Sequence, residues 1–244
     1  MSETIEWFEA VEKVRPYIVR ILTPYGSGTG FIISHSVAGD VYGIATAAHV
    51  VAQAHDWELP IKIEHFDSGF QVTVRHSERA IFIDSNRDSA AVVFQPGDVK
   101  LPPSPPSLID EGKILKVGVE IGWLGFPAVS PQNLCFFSGP ISSHLEGDSG
   151  YLVDGVAING VSGGPALWLG YKEFRYIGVV SAYIPNRATG EPLPGLAVVR
   201  DVSQFYDIIK RFRSVDEARN QQPAPQPHDP SPEPPPVAPP ANPA

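Results

Sequence analysis

Apolar residues recur along this chain in short runs, alternating or unbroken, with clusters of Gly, Pro, Asn and Asp between them. That pattern predicts β-strands separated by turns, not helices. In the first half the runs are Tyr17–Leu22, Phe31–Ile33, Val41–Thr46, Ile61–Ile63, Phe70–Val74, Ala80–Ile83 and Ala90–Phe94. Gly26-Ser27-Gly28-Thr29-Gly30 reads as a turn into the second of them. In the second half they are Leu115–Gly118, Glu120–Phe126, Leu134–Phe137, Pro140–Ser142, Tyr151–Val153, Ala166–Leu169, Tyr176–Ser181 and Leu196–Val199. The stretch between the halves contains Leu101-Pro102-Pro103-Ser104-Pro105-Pro106 and cannot continue a sheet, because proline removes ladder donors. Helical periodicity occurs only at the ends. Ile5, Phe8 and Val11 predict one face of a short helix over residues 3–15. Phe205, Ile208, Ile209 and Phe212 predict a second over residues 201–213, with Asp201 and Gln204 as a capping box.

The expected fold class is therefore all-β, two six-stranded antiparallel barrels with an N-terminal and a C-terminal helix. The expected organisation is a helix over 1–16, a first barrel over 17–96, a linker over 97–112, a second barrel over 113–200, and a helix over 201–213. From 214 to 244 the chain turns to Pro, Ala, Gln and Ser and is expected to be a disordered Pro-rich tail. The tail reads as a tether, and alternatively as a ligand for an aromatic-lined groove of another protein.

Composition narrows the function. The 244 residues carry a net charge of -9 with no Lys/Arg run, so neither nucleic acid nor an anionic membrane is an expected partner. The single cysteine, Cys135, rules out an intrachain disulfide and, within an apolar run, reads as structural. The N-terminus has no apolar leader and no stretch is long enough to span a membrane, so a cytoplasmic location is expected. No Cys or His spacing suits a metal, and no cofactor is expected.

The candidate chemistry centres on Gly160-Val161-Ser162-Gly163-Gly164-Pro165. Glycines at that density let the backbone turn sharply, expose the serine and bring N–H groups together beside it. A serine hydroxyl needs a base, and His49 follows an apolar strand in Thr46-Ala47-Ala48-His49. The imidazole needs a carboxylate to hold its tautomer, and Asp88 precedes the strand Ala90–Phe94. Asp84 is a neighbouring alternative that spacing alone does not remove. The order His49, Asp88, Ser162 puts two members before the Pro-rich stretch and one after it, so the site should form between the two units. Gly160-Val161-Ser162-Gly163-Gly164 also satisfies the nucleophile elbow of α/β-hydrolases. Those enzymes need a histidine after the serine, and only His228, in the tail, is available. Ser149, in Gly147-Asp148-Ser149-Gly150, reads as a turn serine. His35, His55, His65, His76 and His144 read as surface residues.

These residues resemble the trypsin-like serine proteases of the chymotrypsin fold, most closely the Deg/HtrA-type branch found in bacteria. The resemblance runs from about Val11 to Phe212 through Gly28-Thr29-Gly30-Phe31-Ile32-Ile33, Thr46-Ala47-Ala48-His49-Val50-Val51, Asp88-Ser89-Ala90-Ala91-Val92, Gly125-Phe126-Pro127, the Ser162 motif and Ile177-Gly178-Val179-Val180-Ser181. The Pro-rich tail stands where a PDZ domain often follows. The resemblance implies a serine endopeptidase acting on peptide or protein substrates. His49 would be general base and then general acid, Asp88 its orienting carboxylate, and Ser162 the nucleophile. The N–H groups of Gly160 and Ser162 would form the oxyanion hole. Ser181, Ala182 and Tyr183 would form the edge that pairs with the substrate backbone, and Leu196, in Gly195-Leu196-Ala197, would lie in the far wall of the specificity pocket. The chain departs from the family at Val161. Digestive-type enzymes carry there an aspartate that pairs with a cleaved N-terminus, and the Deg/HtrA type carries an asparagine. Activation by that ion pair is not available to this chain. Asp154-Gly155 reads as a hairpin turn and not as an acidic pocket floor, so cleavage after small or medium apolar residues is expected. Two other classes remain: a protease-like scaffold that binds peptides without cutting them, latent or inactive, and an acyl hydrolase acting only on esters.

Overall fold

The computed structural model describes residues 5–97, 104–145, 147, 150–171, 173–185 and 192–221, apart from the side chains of 182–185, 192–194 and 220. Helix α1 spans Trp7–Val14 and runs into a 3₁₀ turn at Arg15–Tyr17. The first β unit holds β1 (Ile18–Thr23), β2 (Gly26–His35), β3 (Tyr42–Thr46), β4 (Ile61–His65), β5 (Gln71–Val74), β6 (Arg79–Asp84) and β7 (Ser89–Phe94). Helix α2 (Ala48–Asp56) lies between β3 and β4. The second unit holds β8 (Glu120–Gly125), β9 (Cys135–His144), β10 (Gly150–Asp154), β11 (Pro165–Leu169), β12 (Phe174–Pro185) and β13 (Pro192–Asp201), and helix α3 (Phe205–Gln221) follows.

The all-β, antiparallel, two-unit architecture is as the hydrophobic pattern predicts. The second unit closes as a six-stranded barrel in the order β10-β13-β12-β11-β8-β9. The first is a seven-stranded sheet in the order β5-β4-β1-β2-β3-β7-β6. Its two end strands are joined by a side chain: the Arg79 guanidinium, on β6, donates to the Val74 carbonyl on β5 and to the carbonyls of Ala54 and Leu59. The Ala54 carbonyl, near the end of α2, also accepts from the Leu59 N–H at 2.9 Å, so the arginine adds a second bond there and anchors that helix.

Several local expectations are corrected by tertiary structure. Gly26–Gly30 is strand β2, and the turn lies before it at Thr23–Gly26. A Cβ at Gly28 would sit 2.6 Å from Val50, and one at Gly30 would sit 2.8 Å from Ile21 and Ile44. These glycines supply room for close packing, not an unusual φ. In α1 the buried face is Ala10 and Val14 with Trp7 and Val11 against the core, while Phe8 is 69% exposed. Leu115–Gly118 forms no strand, and Pro140–Ser142 continues β9. Asp201 ends β13, where its carboxylate accepts from the Ser203 N–H and hydroxyl, so it does not cap α3. Residues 214–221 are helical and do not belong to a disordered tail. The Asp216 carboxylate accepts from the Val37 N–H, and Arg219 pairs with Asp40 at 2.9 Å. Those contacts tie a polar helix end to the first unit. The rest of the tail, 222–244, and Ser149 lie outside the described residues.

The two units share one core. Phe31, Ala45, Ala47 and Ala91 of the first pack with Leu124, Val161, Tyr176, Val180 and their neighbours in the second. Phe31 and Tyr176 meet at 4.7 Å between ring centres. A separate cluster around Val19, Ile44, Ile61 and Val92 fills the first sheet. The segment after the Pro-rich stretch is part of this packing, with Leu108 and Ile109 buried and Ile109 bonded to the Tyr176 carbonyl. Both units therefore hold fixed positions on either side of the seam where the candidate residues lie. No helix among the described residues is long and apolar enough to cross a membrane.

Candidate active site

His49 is the second residue of α2, on the seam between the units. The first N–H groups of a helix have no intrahelical acceptor, and the residue before α2, Ala47, has no side-chain oxygen to supply one. Asp88 supplies it from the turn before β7, in the same unit: its Oδ1 accepts from the His49 backbone N–H at 3.0 Å. Its Oδ2 lies 2.8 Å from His49 Nδ1. A carboxylate only accepts, so Nδ1 carries the hydrogen, and Nε2 is left with a lone pair on the exposed side. Asp88 thus both caps the helix that carries His49 and fixes its tautomer.

The backbone aims Asp88 deliberately. Its φ is +44°, a left-handed conformation that Asp tolerates better than most residues. Asp84 makes the turn that produces this geometry: its Oδ1 accepts from the N–H groups of Asn86 and Arg87, both at 3.1 Å. Asp84 is therefore a turn residue and Asp88 is the histidine's partner. From the second unit, the buried Ser181 donates its hydroxyl to Asp88 Oδ2 at 2.5 Å. Burial pushes the Asp88 carboxyl up, but the bonds from His49 and Ser181 outweigh burial and hold it below the usual carboxylate range. The sign follows from the depressed folded value. The stabilisation is present above the ordinary carboxylate range and is lost as pH falls through that depressed value.

Ser162 lies on the opposite wall. The loop before it is fixed peptide by peptide. The Asn159 carbonyl accepts from Ala128 N–H at 2.7 Å, and the Gly160 carbonyl accepts from the Thr29 hydroxyl at 2.8 Å. Val161 N–H donates to the Ile158 carbonyl, and the Val161 carbonyl accepts from Gly164 N–H, both at 3.0 Å. A peptide is planar and its N–H points opposite to its C=O. The N–H groups of Gly160 and Ser162 therefore point away from those anchored carbonyls, and among the described residues neither has an acceptor. Val161, the position that departs from the family pattern, is fully buried in the shared core and packs on Gly125. Ser162 is half-buried, and no hydrogen bond joins its hydroxyl to His49.

Glycine is required at two positions of this loop. Gly160 has φ +91°, and a Cβ there would sit 2.2 Å from the Phe126 carbonyl oxygen. Gly163 has φ +88°, and a Cβ would sit 2.0 Å from the Thr29 carbonyl oxygen. Gly163→Ala is expected to destabilise the fold by about 2–4 kcal/mol, combining left-handed strain and overpacking. Urea unfolding measures it, and a loss within 0.5 kcal/mol, roughly the size of a surface change, would contradict the geometry.

The remaining candidates divide. Ser181 lies on the expected edge, but its hydroxyl is committed to Asp88. The side chains of Ala182 and Tyr183 lie outside the described residues. Their backbone pairs with β13 on one side, opposite Val198 and Ala197. On the other side, the ladder from β11 stops at Val179, with Gly164 bonding Val180 beyond it, and the described residues leave the edge past Val180 open. Leu196 pairs with Asp154 across β10 and β13. Asp154 ends β10, and the next N–H, of Gly155, bonds the Gly195 carbonyl, so the pair continues a ladder and is not a hairpin turn. Sequence reasoning missed Thr29, which was read as part of a turn, and the bond from Ser181 to Asp88. The only sequence signal for the first was a threonine between two glycines on an apolar strand.

Residues 28–172, more than half of the chain, match the family model of the trypsin-like peptidase domain, and the chain belongs to that family. No curated protein sequence matches it. Among solved structures, it resembles the inactive form of a serine-to-alanine mutant of Rv3671c from Mycobacterium tuberculosis H37Rv. The TM-score is 0.57 at 19% identity, covering 88% of this chain and 96% of that one. It also resembles the serine endoprotease from Yersinia pestis, with a TM-score of 0.60 at 15% identity, covering 86% of this chain and 67% of that one. At these identities the likeness is one of fold.

Proposed function

We propose that this protein is a serine endopeptidase whose catalytic residues are His49, Asp88 and Ser162. The observation that carries the reading is the pairing of His49 Nδ1 with Asp88 at 2.8 Å, beside a loop whose Gly160 and Ser162 N–H groups have no acceptor among the described residues. Ser162 Oγ attacks the scissile carbonyl and passes its proton to His49 Nε2. The carbonyl oxygen becomes an oxyanion and accepts from Gly160 and Ser162 N–H. The tetrahedral centre collapses, the peptide C–N bond breaks, and the imidazolium gives its proton to the leaving amine. Water then attacks the acyl-enzyme by the same route and releases the acid. The substrate backbone adds as a strand to the open edge of β12 past Val180. In this reading the specificity pocket lies between Leu196 and residues 155–158, where Gly155 packs on the buried indole of Trp123, whose Nε1 donates to the Val156 carbonyl at 3.1 Å. An apolar support of that kind suits a small or medium apolar side chain. The cytoplasm remains the proposed location.

Incubation with an unfolded polypeptide, read by mass spectrometry of the new termini, tests the reading. Internal cleavages after small or medium apolar residues are expected, and their loss in His49→Ala would support His49 as the base. The absence of a bond between Ser162 Oγ and His49 favours, as a second reading, a latent scaffold. Tight peptide binding with no cleavage at any pH would establish it, and turnover of esters alone would mark an acyl hydrolase.

A further inference from the structure

Thr29 is fully buried and makes four hydrogen bonds, each to a different part of the site. Its hydroxyl donates to the Gly160 carbonyl at 2.8 Å and accepts from Phe126 N–H at 3.0 Å. Its own N–H donates to the Ser162 carbonyl at 2.8 Å. Its carbonyl accepts from the hydroxyl of the buried Thr46 at 2.7 Å, and Thr46 ends β3 two residues before α2 brings His49 into place. The side chain and the two flanking peptides of one residue thus join the oxyanion loop, the nucleophile's own carbonyl and the strand that delivers the base.

We propose that Thr29 is a positioning residue for the oxyanion hole, which keeps the hole formed in the resting protein without a cleaved N-terminus. The inference rests on the serine-peptidase reading above. The two free N–H groups belong to the peptides Asn159–Gly160 and Val161–Ser162. The peptide between them, Gly160–Val161, sets the angle at which they converge. Its N–H is held by the Ile158 carbonyl, and its carbonyl is held by the Thr29 hydroxyl and by no other donor among the described residues. The buried Val161 side chain anchors the same peptide in the core, where an ion pair would stand in digestive-type enzymes. Loss of the hydroxyl leaves the Gly160 carbonyl without its donor and frees that peptide to rotate. Such a rotation weakens contacts made only to the oxyanion and leaves ground-state contacts along the β12 edge unchanged.

The test compares Thr29→Val, Thr29→Cys and Thr29→Ser in the full chain. Thr29→Val keeps the shape and removes the donor. It is expected to lower kcat by about 10–100-fold, less than the loss of an oxyanion donor itself, with KM within about threefold. Affinity for a peptide boronate, whose boron oxygen occupies the oxyanion position, should fall by the same factor, while affinity for the uncleavable amide analogue of the substrate should stay within about threefold. Thr29→Ser should restore kcat to within about threefold. Thr29→Cys, which keeps the volume and donates weakly, should fall between them and serves where Thr29→Val does not fold. A role in stability alone would lower the melting temperature and leave kcat and boronate affinity unchanged in the folded variants, and that result would overturn the proposal. If wild type itself neither turns over nor binds the boronate, the peptidase reading has failed, whatever the variants do.

Discussion

Ser162→Ala is expected to lower kcat/KM for a peptide substrate by about 10⁴-fold or more, to the residual rate that binding and the oxyanion hole sustain. The size follows from the role assigned to Ser162 Oγ. It is the only atom in the scheme that forms a covalent bond to substrate, and no other described side chain on the loop can take its place. Stability should change little, within about 0.5 kcal/mol, because Ser162 is half-buried and its hydroxyl holds no hydrogen bond among the described residues. The loop is held through backbone groups, by Thr29 on the Ser162 carbonyl and Val180 on the Gly163 N–H, and alanine keeps both. A variant that folds and retains more than about a tenth of the wild-type rate would mean that another residue is the nucleophile.

Asp88→Asn should cost a similar factor, about 10⁴ in kcat, for a different reason. An amide has one acceptor oxygen where the carboxylate has two, and Asp88 now serves His49 Nδ1, His49 N–H and the Ser181 hydroxyl. The Ser181 hydroxyl and the helix N–H are both donors and compete for the one oxygen. The NH₂ group is then turned towards Nδ1, which must become the acceptor, so the proton moves to Nε2. The base is then protonated on the atom that should receive the Ser162 proton. Asn retains a capping oxygen for α2, so its stability cost should be small, whereas Asp88→Ala also removes the cap and should cost about 1 kcal/mol more. Measuring kcat and urea midpoints for the two variants separates tautomer control from helix capping. Equal stabilities would show that Asp88 does not cap α2, and an Asn variant within about tenfold of wild type would remove it from the catalytic set.

The sequence made the catalytic candidates readable because each sits in a short motif with its own mechanical reason. The glycines around Ser162 are there for positive φ and close backbone approach, and both requirements appear at Gly160 and Gly163. Chain order disposed of the α/β-hydrolase alternative. Spacing could not separate Asp84 from Asp88, because the distinction depends on which carboxylate folds back onto its own turn and which points at His49. The roles of Thr29 and Ser181 are hidden in the sequence for a related reason. Their partners are 131 and 93 residues away in sequence, and no local pattern encodes such a bond. Gly28 and Gly30 suggest a turn because glycine is the usual source of φ freedom, yet here they make room for Val50 and for Ile21 and Ile44. Helix α2 escaped notice because it is short and carries adjacent β-branched Val50 and Val51, and its cap is supplied by a residue far along the chain. The end of α3 looked too polar to be ordered, and its order comes from Asp216 and Arg219 reaching the turn at 36–40.

The central claim is that His49 activates Ser162 opposite a formed oxyanion hole. Labelling the intact protein with a fluorophosphonate probe, followed by mass spectrometry of the modified peptide, tests it most directly. The probe needs an activated serine and a formed hole, and it does not need the right substrate. The account predicts stoichiometric label on Ser162 in wild type and its loss in His49→Ala. Label on Ser149, or label on Ser162 that survives His49→Ala, would contradict it.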